Sequence, residues 1–159
     1  MPRAVRAILF DKTEEANWSV AWHQDRTIAV RERHDVTGYG PWSVKDGAHH
    51  VEPPFDLMRD MVTMRAHLDE CGEDNAPLIV AAGSHRLGRI PSAEISDSVS
   101  RLRIARCLAE TGDVWVYATP IIHASERTRS PARRRVLQVD FCARELPKGL
   151  EWLGIDNDR

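Results

Sequence analysis

Short apolar segments rich in β-branched residues, separated by turn signals, are the feature that most constrains the fold of this chain. Such runs, divided by Gly, Pro, Asn or Asp, are typical of β-sandwiches and barrels, whereas parallel βαβ folds need a helical segment between strands. The pattern therefore predicts a mostly β domain, with strands at Ala4–Phe10, Ser19–His23, Thr27–Arg31, Met61–Leu68, Leu78–Ala81, Val114–Ala118, Ile121–Ser125 and Arg134–Cys142.

Three segments have a more specific pattern. Met61–Leu68 alternates apolar and polar residues, which predicts a half-buried strand with Val62, Met64, Ala66 and Leu68 on one side. Ser92–Arg101 carries apolar residues at helical intervals and predicts a short peripheral helix. The Gly- and Pro-rich stretch from His34 to Asp56 lacks periodicity, and a loop of this length indicates a functional flap over a pocket.

Length and composition restrict the function classes. The 159 residues are enough for one domain, residues 1–159. The net charge of -2 gives no reason to expect nucleic acid as a partner, and the arginines of the 127–135 region are not interleaved with aromatic residues. No stretch resembles a membrane span or a secretory signal, so we expect a cytoplasmic protein without a membrane partner. The three cysteines, widely spaced, predict reduced and mostly buried thiols.

The tetrapeptide Trp22–Asp25 contains a His-x-Asp pair at the end of a predicted strand. Because side chains two positions apart point to the same face of a strand, His23 and Asp25 can reach one metal ion. Two histidines and one carboxylate on one face of an octahedral ion form the ligand set of non-haem Fe(II) oxygenases. A His-x-Asp pair alone occurs often without a metal, so the assignment depends on a third ligand.

His123 is the candidate third ligand, and Arg134 is a candidate binding residue for an acid that chelates the metal. His123 lies in a predicted strand, and Arg134 follows it by eleven positions at the start of the last strand. A guanidinium can form two charge-assisted hydrogen bonds with the distal carboxylate of a 2-oxo acid that also chelates the iron. The order of these residues therefore favours an Fe(II) site, formed by His23, Asp25 and His123, that uses a 2-oxo acid and O2.

At these residues the sequence resembles the phytanoyl-CoA dioxygenase family of Fe(II)/2-oxoglutarate oxygenases. The resemblance covers nearly the whole chain and rests on Trp22–Asp25, Asp74–Leu78, Gly83–His85, Gly112–Val114, His123–Ser125 and Arg134-Arg135. It implies a double-stranded β-helix of the jelly-roll, cupin-like type with one or two short peripheral helices. It also implies an Fe(II) cofactor, 2-oxoglutarate as cosubstrate, and a small-molecule or acyl substrate that reacts with O2.

The resemblance also implies roles for individual residues. His23, Asp25 and His123 are similar to the iron ligands, Arg134 to the clamp on the C5 carboxylate of 2-oxoglutarate, and Ser125 to a serine that assists this clamp. Trp42 falls near a family position that lines the cosubstrate pocket. Because related halogenases replace the carboxylate ligand with a small residue, Asp25 favours hydroxylation. Asn17 and Lys12 are expected to border the cosubstrate, and His85 to have a structural role.

One departure from the family leaves alternatives open. Family members usually carry a partly helical N-terminal region before the segment that begins here near Ala4, and its absence leaves a homodimer open as a way to complete the pocket. One alternative is a cupin-like metal enzyme that does not use 2-oxoglutarate, for which Arg134 would be dispensable. Another is a truncated, non-catalytic domain with little affinity for iron. The chain after Glu145 is expected to be a loosely packed extension anchored by Leu150 and Trp152.

Overall fold

The computed structural model describes residues 1–129 and 132–155 of the chain. Eleven strands and two short α-helices occur in these residues, with two 3₁₀ turns at Ser84–Leu87 and Ser92–Glu94. The elements are β1 (Arg3–Lys12), β2 (Val20–Gln24), β3 (Ile28–Val30), β4 (Trp42–Lys45), β5 (Ala48–Val51), α1 (Phe55–Arg59), β6 (Met61–His67), β7 (Leu78–Ala81), α2 (Ile95–Ser100), β8 (Ile104–Cys107), β9 (Val114–Ala118), β10 (Ile122–Ser125) and β11 (Arg134–Cys142).

Two four-stranded antiparallel sheets form the body of the domain. The first sheet has the strand order β1-β11-β6-β9, and the second has the order β2-β10-β7-β8. Their inner faces line a common cavity, to which the first sheet contributes side chains such as Arg134 and the second sheet contributes His23 and His123. The predicted mostly β, jelly-roll class with short peripheral helices is confirmed.

The stretch from His34 to Asp56 is not the flap that its composition predicted. It contains β4 and β5, which form a third antiparallel sheet with β3 in the order β3-β5-β4. Val51 of β5 and Ile28 of β3 belong to a buried apolar cluster that also includes Met61 and Trp152. The Gly and Pro residues interrupt the periodicity that would have revealed two short strands.

The strand β6 buries the side opposite to the one that its pattern suggested. Thr63, Arg65 and His67 are buried, whereas Val62 is exposed and Met64 is half-buried. Polar side chains face inward because this part of the sandwich encloses a polar cavity instead of an apolar core. The outer face of the first sheet is correspondingly apolar, and its exposed residues include Leu9, Val62, Leu68, Val114, Val116 and Leu137.

Three apolar clusters hold the sheets in place around the cavity. In one of them α2 packs through Ile95 against Ile122 of β10. Leu150 and Trp152 anchor the C-terminal segment as expected, because both are buried, but the segment is not loosely packed, since backbone hydrogen bonds join Glu151 and Leu153 to Arg31 and Ala29. All three cysteines are free and buried, which confirms their predicted state. In the described part of the chain, no helix has the length and apolar character required to span a membrane.

Candidate metal centre

His23, Asp25 and His123 come together between adjacent strands of the second sheet. His23 on β2 lies directly opposite His123 on β10, and Asp25 follows the last residue of β2. One ligand-type atom from each of the three residues lies within 4.8 Å of the other two. No other cluster of three such residues occurs in residues 1–129 and 132–155. Strand alternation predicted that His23 and Asp25 share a face, and the cross-strand pair of His23 with His123 completes the cluster.

Hydrogen bonds orient both imidazole rings toward the carboxylate. Nδ1 of His23 lies 2.9 Å from the carbonyl oxygen of Ala21, and Nδ1 of His123 lies 2.9 Å from that of Ile121. Each ring can therefore donate from Nδ1 and keep the Nε2 lone pair for a metal. The two Nε2 atoms lie 3.8 and 3.9 Å from the oxygens of Asp25, so three donor atoms converge on one point.

Burial keeps His123 uncharged. Loss of solvent lowers its pKa below the usual value, and this effect outweighs the opposing charge of Asp25. A neutral imidazole is the form that binds a metal ion, so the site needs no deprotonation of this ring at neutral pH. The donor set of two imidazole nitrogens and one carboxylate therefore fits a divalent transition metal.

Hydrogen bonds of Gln24 and Ser84 fix the positions of β2 and β10, the two strands that bear the candidate ligands. The Gln24 amide, between His23 and Asp25 in sequence, donates to the carbonyls of Gly88 and Pro120 at 3.0 Å and accepts from the backbone N–H of Ile90 at 3.1 Å. Ser84 Oγ accepts a 2.8 Å bond from the backbone N–H of Ile122, the residue before His123. Within the Gly83–His85 segment, the hydrogen bond to β10 is therefore formed by Ser84 and not by His85, for which a structural role was expected.

A cavity of about 210 Å³ opens beside the three ligands. Its wall combines His23, Asp25 and His123 with residues of the first sheet, and it also includes Arg6, Trp18, Arg65, Leu78, Ser125, Arg134 and Gln138. A larger and more open groove, of about 560 Å³, lies elsewhere near Arg3 and Trp152, and its lining includes none of the three ligands. The smaller cavity is therefore the one connected with the candidate metal site.

Arg134 is almost fully buried in this cavity. Its Nη1 donates to the Ala76 carbonyl at 2.8 Å, and its Nε has no hydrogen-bond partner among the described residues. Burial lowers the pKa of its guanidinium from the usual value. No carboxylate of the described residues lies within ion-pair distance of it, so its charge is available to an anionic ligand in the cavity.

Of the two other residues predicted to bind the cosubstrate, one lies in the cavity and one lies in the third sheet. Ser125 lines the cavity as expected. Trp42 does not lie there, because β4 belongs to the third sheet, where the ring lies 5.6 Å from the guanidinium carbon of Arg33 and packs on the Val51 cluster. A different tryptophan, Trp18, lines the cavity. The offset arises because the 34–56 segment forms a sheet instead of closing over the site.

Lys12 and Asn17, which were expected to border the cosubstrate, are not among the residues that line the cavity, and their side chains hold the polypeptide instead. Lys12 is fully buried and donates to the carbonyls of Trp18 at 2.6 Å and Glu126 at 2.7 Å. Burial, together with Arg134 and Arg65, lowers its pKa to about 8. Asn17 exchanges hydrogen bonds with the backbone of Thr128 at 3.0 and 2.9 Å. Both side chains thus tie the segment before β2 to the segment after β10.

Sequence reasoning missed several buried polar residues near the site. Arg65 falls on the polar side of the alternating β6 segment, yet it is buried and lines the cavity. His50 falls in the Gly- and Pro-rich stretch whose composition predicted a flap, yet it is buried on β5. The Tyr117 ring lies 6.4 Å from the His123 ring, and burial raises the pKa of its phenol to about 12. Only knowledge of which face of each strand is internal would have identified them.

Comparison with known families agrees with this geometry. A family model described as Phytanoyl-CoA dioxygenase (PhyH) matches residues 1–136. The chain belongs to the phytanoyl-CoA dioxygenase family. The matched residues of this family member include all three candidate metal ligands and Arg134. No curated protein matches its sequence.

Solved structures share the fold of this phytanoyl-CoA dioxygenase family member. EvdMO1 has 22% identity and a TM-score of 0.62, with 91% of this chain and 28% of that chain covered. EctD from S. alaskensis in its apoform has 18% identity and a TM-score of 0.64, with 98% and 49% covered. The non-heme alpha ketoglutarate dependent epimerase SnoN has 12% identity and a TM-score of 0.59, with 88% and 46% covered. The chain thus spans less than half the length of each of these proteins.

Proposed function

We propose that this family member is a non-haem Fe(II)/2-oxoglutarate-dependent oxygenase. One observation carries the proposal: the same cavity contains a cluster of two histidines and one carboxylate and also the buried guanidinium of Arg134, which forms no ion pair with a described residue. The cluster suits a divalent iron, and the guanidinium suits the carboxylate of an acid that also reaches the metal. Membership of the phytanoyl-CoA dioxygenase family and similarity to an alpha ketoglutarate dependent enzyme support the same reaction class.

The residues of the chain act by binding and orientation. His23 and His123 present Nε2 because backbone carbonyls hold their Nδ1 atoms, and Asp25 supplies the anionic oxygen. Arg134 fixes the distal carboxylate of the cosubstrate, with Ser125 beside it in the cavity wall. Iron and 2-oxoglutarate, when bound, supply the activation of O2 and the removal of a hydrogen atom from the substrate.

The size of the cavity favours a small substrate. About 210 Å³ is less than the roughly 300–1,000 Å³ that is usual for ligand pockets. A small dicarboxylate fits this volume, whereas a long acyl chain would extend outside it. We therefore propose hydroxylation of a small molecule that binds beside His23 and Asp25.

Anaerobic titration tests the proposal. Fe(II)-loaded protein is titrated with 2-oxoglutarate, and the weak visible metal-to-ligand charge-transfer band is followed in the wild type and in Arg134→Met. We expect the band in the wild type and a much weaker affinity in the variant. Iron binding without the band, and unchanged in Arg134→Met, would instead favour the cupin-like enzyme that does not use 2-oxoglutarate. Failure to bind iron would favour the non-catalytic domain.

The apolar outer face of the first sheet supports a homodimer, in which a second copy of the chain covers it. The exposed apolar side chains of this face lie on neighbouring strands of one sheet and form a contiguous patch, which is typical of an interaction surface. Light scattering after size exclusion should give a dimer for the wild type and a monomer for Val116→Lys. A monomeric wild type would contradict the dimer.

A further inference from the structure

Arg65 is a second buried guanidinium in the cavity of the candidate metal site. Its side chain points inward from β6, only 6% of the residue is exposed, and it lines the cavity. Its Nη1 donates to Gln138 Oε1 at 3.2 Å, its guanidinium carbon lies 5.0 Å from the Phe10 ring, and its Nε has no hydrogen-bond partner among the described residues. Neither of these contacts supplies a negative charge, and a hydrogen bond with the neutral Tyr117 phenol does not supply one either.

The nearby buried carboxylate is already in use. Asp140 Oδ1 accepts hydrogen bonds from Thr63 at 2.8 Å and from Gln138 at 3.2 Å, and Asp140 Oδ2 lies 4.0 Å from Arg6. No described residue forms an ion pair with Arg65. Since a buried, unpaired charge is costly to the folded state, the arrangement indicates that a ligand provides the missing anion.

Strand register places Arg65 toward the metal end of the cavity. It lies opposite Gln138 of β11, four residues along the strand from Arg134, which corresponds to about 14 Å of backbone. On its other side it lies opposite Trp115 of β9, one same-face step from Tyr117, whose ring is next to His123. Arg65 therefore starts nearer to the metal ligands than Arg134 does, and both side chains reach one small cavity.

We infer that Arg65 is a second carboxylate-binding residue, which holds the carboxylate of the 2-oxo acid nearest to the metal while Arg134 holds the distal one. The planar guanidinium can form a two-point contact with a carboxylate oxygen pair or bind the one oxygen that does not face the metal. This inference rests on the proposed use of a 2-oxo acid. It gives the two guanidinium groups different partners, which can be separated with ligands that contain one carboxylate or two.

Calorimetric titration of Mn(II)-loaded protein separates the two roles. The ligands are 2-oxoglutarate, which has both carboxylates, and pyruvate, which has only the one beside the 2-oxo group. We expect Arg65→Met to weaken both ligands by roughly 10- to 100-fold. Arg134→Met should weaken 2-oxoglutarate to a similar extent and pyruvate by less than about threefold, because pyruvate does not reach that residue.

Two further variants complete the test. Arg65→Lys keeps the charge without the planar fork, so we expect it to weaken both ligands by an intermediate factor. Arg103→Met removes an exposed arginine outside the cavity and should leave both affinities unchanged. Mn(II) affinity, measured by electron paramagnetic resonance, should be the same in all of them, which shows that the metal site is intact.

The outcomes distinguish this inference from the proposed function. Absence of binding of both acids to the wild type would overturn the proposed function. Normal binding to the wild type with unchanged pyruvate affinity in Arg65→Met would overturn the inference alone, whether or not 2-oxoglutarate is weakened. Loss of Mn(II) affinity in Arg65→Met would also overturn it, because it would show that Arg65 supports the metal ligands instead of the carboxylate.

Discussion

His50 and His67 are buried on different sheets, each with about 2% of the residue exposed and with Nδ1 lacking a partner among the described residues. Burial lowers the pKa of each imidazole to about 4, and nearby arginine charges add to the effect. A protonated ring would carry a charge, and a second N–H donor, into a site that offers it no acceptor. We therefore predict that mild acid destabilises the fold before the carboxylates titrate.

The sign and size follow from proton linkage. The unfolded imidazole has a pKa near 6.5, above the folded value of about 4, so the unfolded state binds more protons between these limits. The free energy of unfolding is thus unaffected above pH 7 and falls as the pH decreases from 6.5 to 4. At pH 5 the loss is about 2 kcal/mol for each histidine, or about 4 kcal/mol for both.

Urea unfolding at pH 7.5 and pH 5.0 measures this loss in the wild type and in the double variant His50→Leu/His67→Leu. Because both proteins share all other titrating groups, including His123 and Asp140, the difference in pH dependence belongs to the two replaced histidines. We expect the double variant to lose about 4 kcal/mol less than the wild type between the two pH values. His34→Leu, which removes an exposed histidine, should behave as the wild type. Equal losses in the double variant and the wild type would refute the reasoning.

Two further predictions concern the hydrogen bonds that position the candidate ligands, and a third concerns stabilisation by the metal. Gln24→Leu should lower the free energy of unfolding by about 3 kcal/mol and reduce Mn(II) affinity, because two buried and one partly buried backbone groups lose their partner. Ser84→Ala should cost about 1–3 kcal/mol in urea unfolding, since it leaves the Ile122 N–H unpaired. Mn(II) at 100 times its Kd should stabilise the wild type by about 2.7 kcal/mol in thermal unfolding, and Asp25→Ala should abolish this gain.

The His-x-Asp half of the candidate metal cluster was predictable from sequence because a local rule determines it. His23 and Asp25 share a face through strand alternation, whereas His123 was identified by residue order and by the resemblance to the family, and the structure places it on the neighbouring strand β10. Gln24, between them, points to the other side and fixes the strand through three hydrogen bonds. The spacing of residues 23–25 thus places the two candidate ligands on one face of the strand and the glutamine that anchors the strand on the other face.

The cavity walls were less predictable because burial of a strand face depends on tertiary structure. The pattern of β6 favours burial of Val62 and Met64, yet the structure buries Thr63, Arg65 and His67, since the inner face of the first sheet borders a polar cavity. Apolar alternation identifies the two faces of a strand without stating which is internal. The same limit explains why Arg65 was overlooked.

The two sheets have separate roles, and Leu78 can show how they depend on each other. The second sheet carries the candidate metal ligands and the first sheet carries Arg65 and Arg134, so in the proposed function the cosubstrate would bridge the gap between them. Leu78 is buried in this gap and lines the cavity. Leu78→Ala should cost about 2–5 kcal/mol in urea unfolding.

The same substitution admits water, which weakens the attraction between the guanidinium groups and an anion. We therefore expect Leu78→Ala to lower 2-oxoglutarate affinity while Mn(II) affinity stays constant, since Gln24 and Ser84 hold the ligands independently. Ile95→Ala is the matched control, because it removes a buried side chain from the apolar cluster on the outer side of the second sheet. It should destabilise the fold to a similar extent without changing 2-oxoglutarate affinity. Parallel losses of 2-oxoglutarate affinity in both variants would show that general loosening, and not the cavity wall, controls cosubstrate binding.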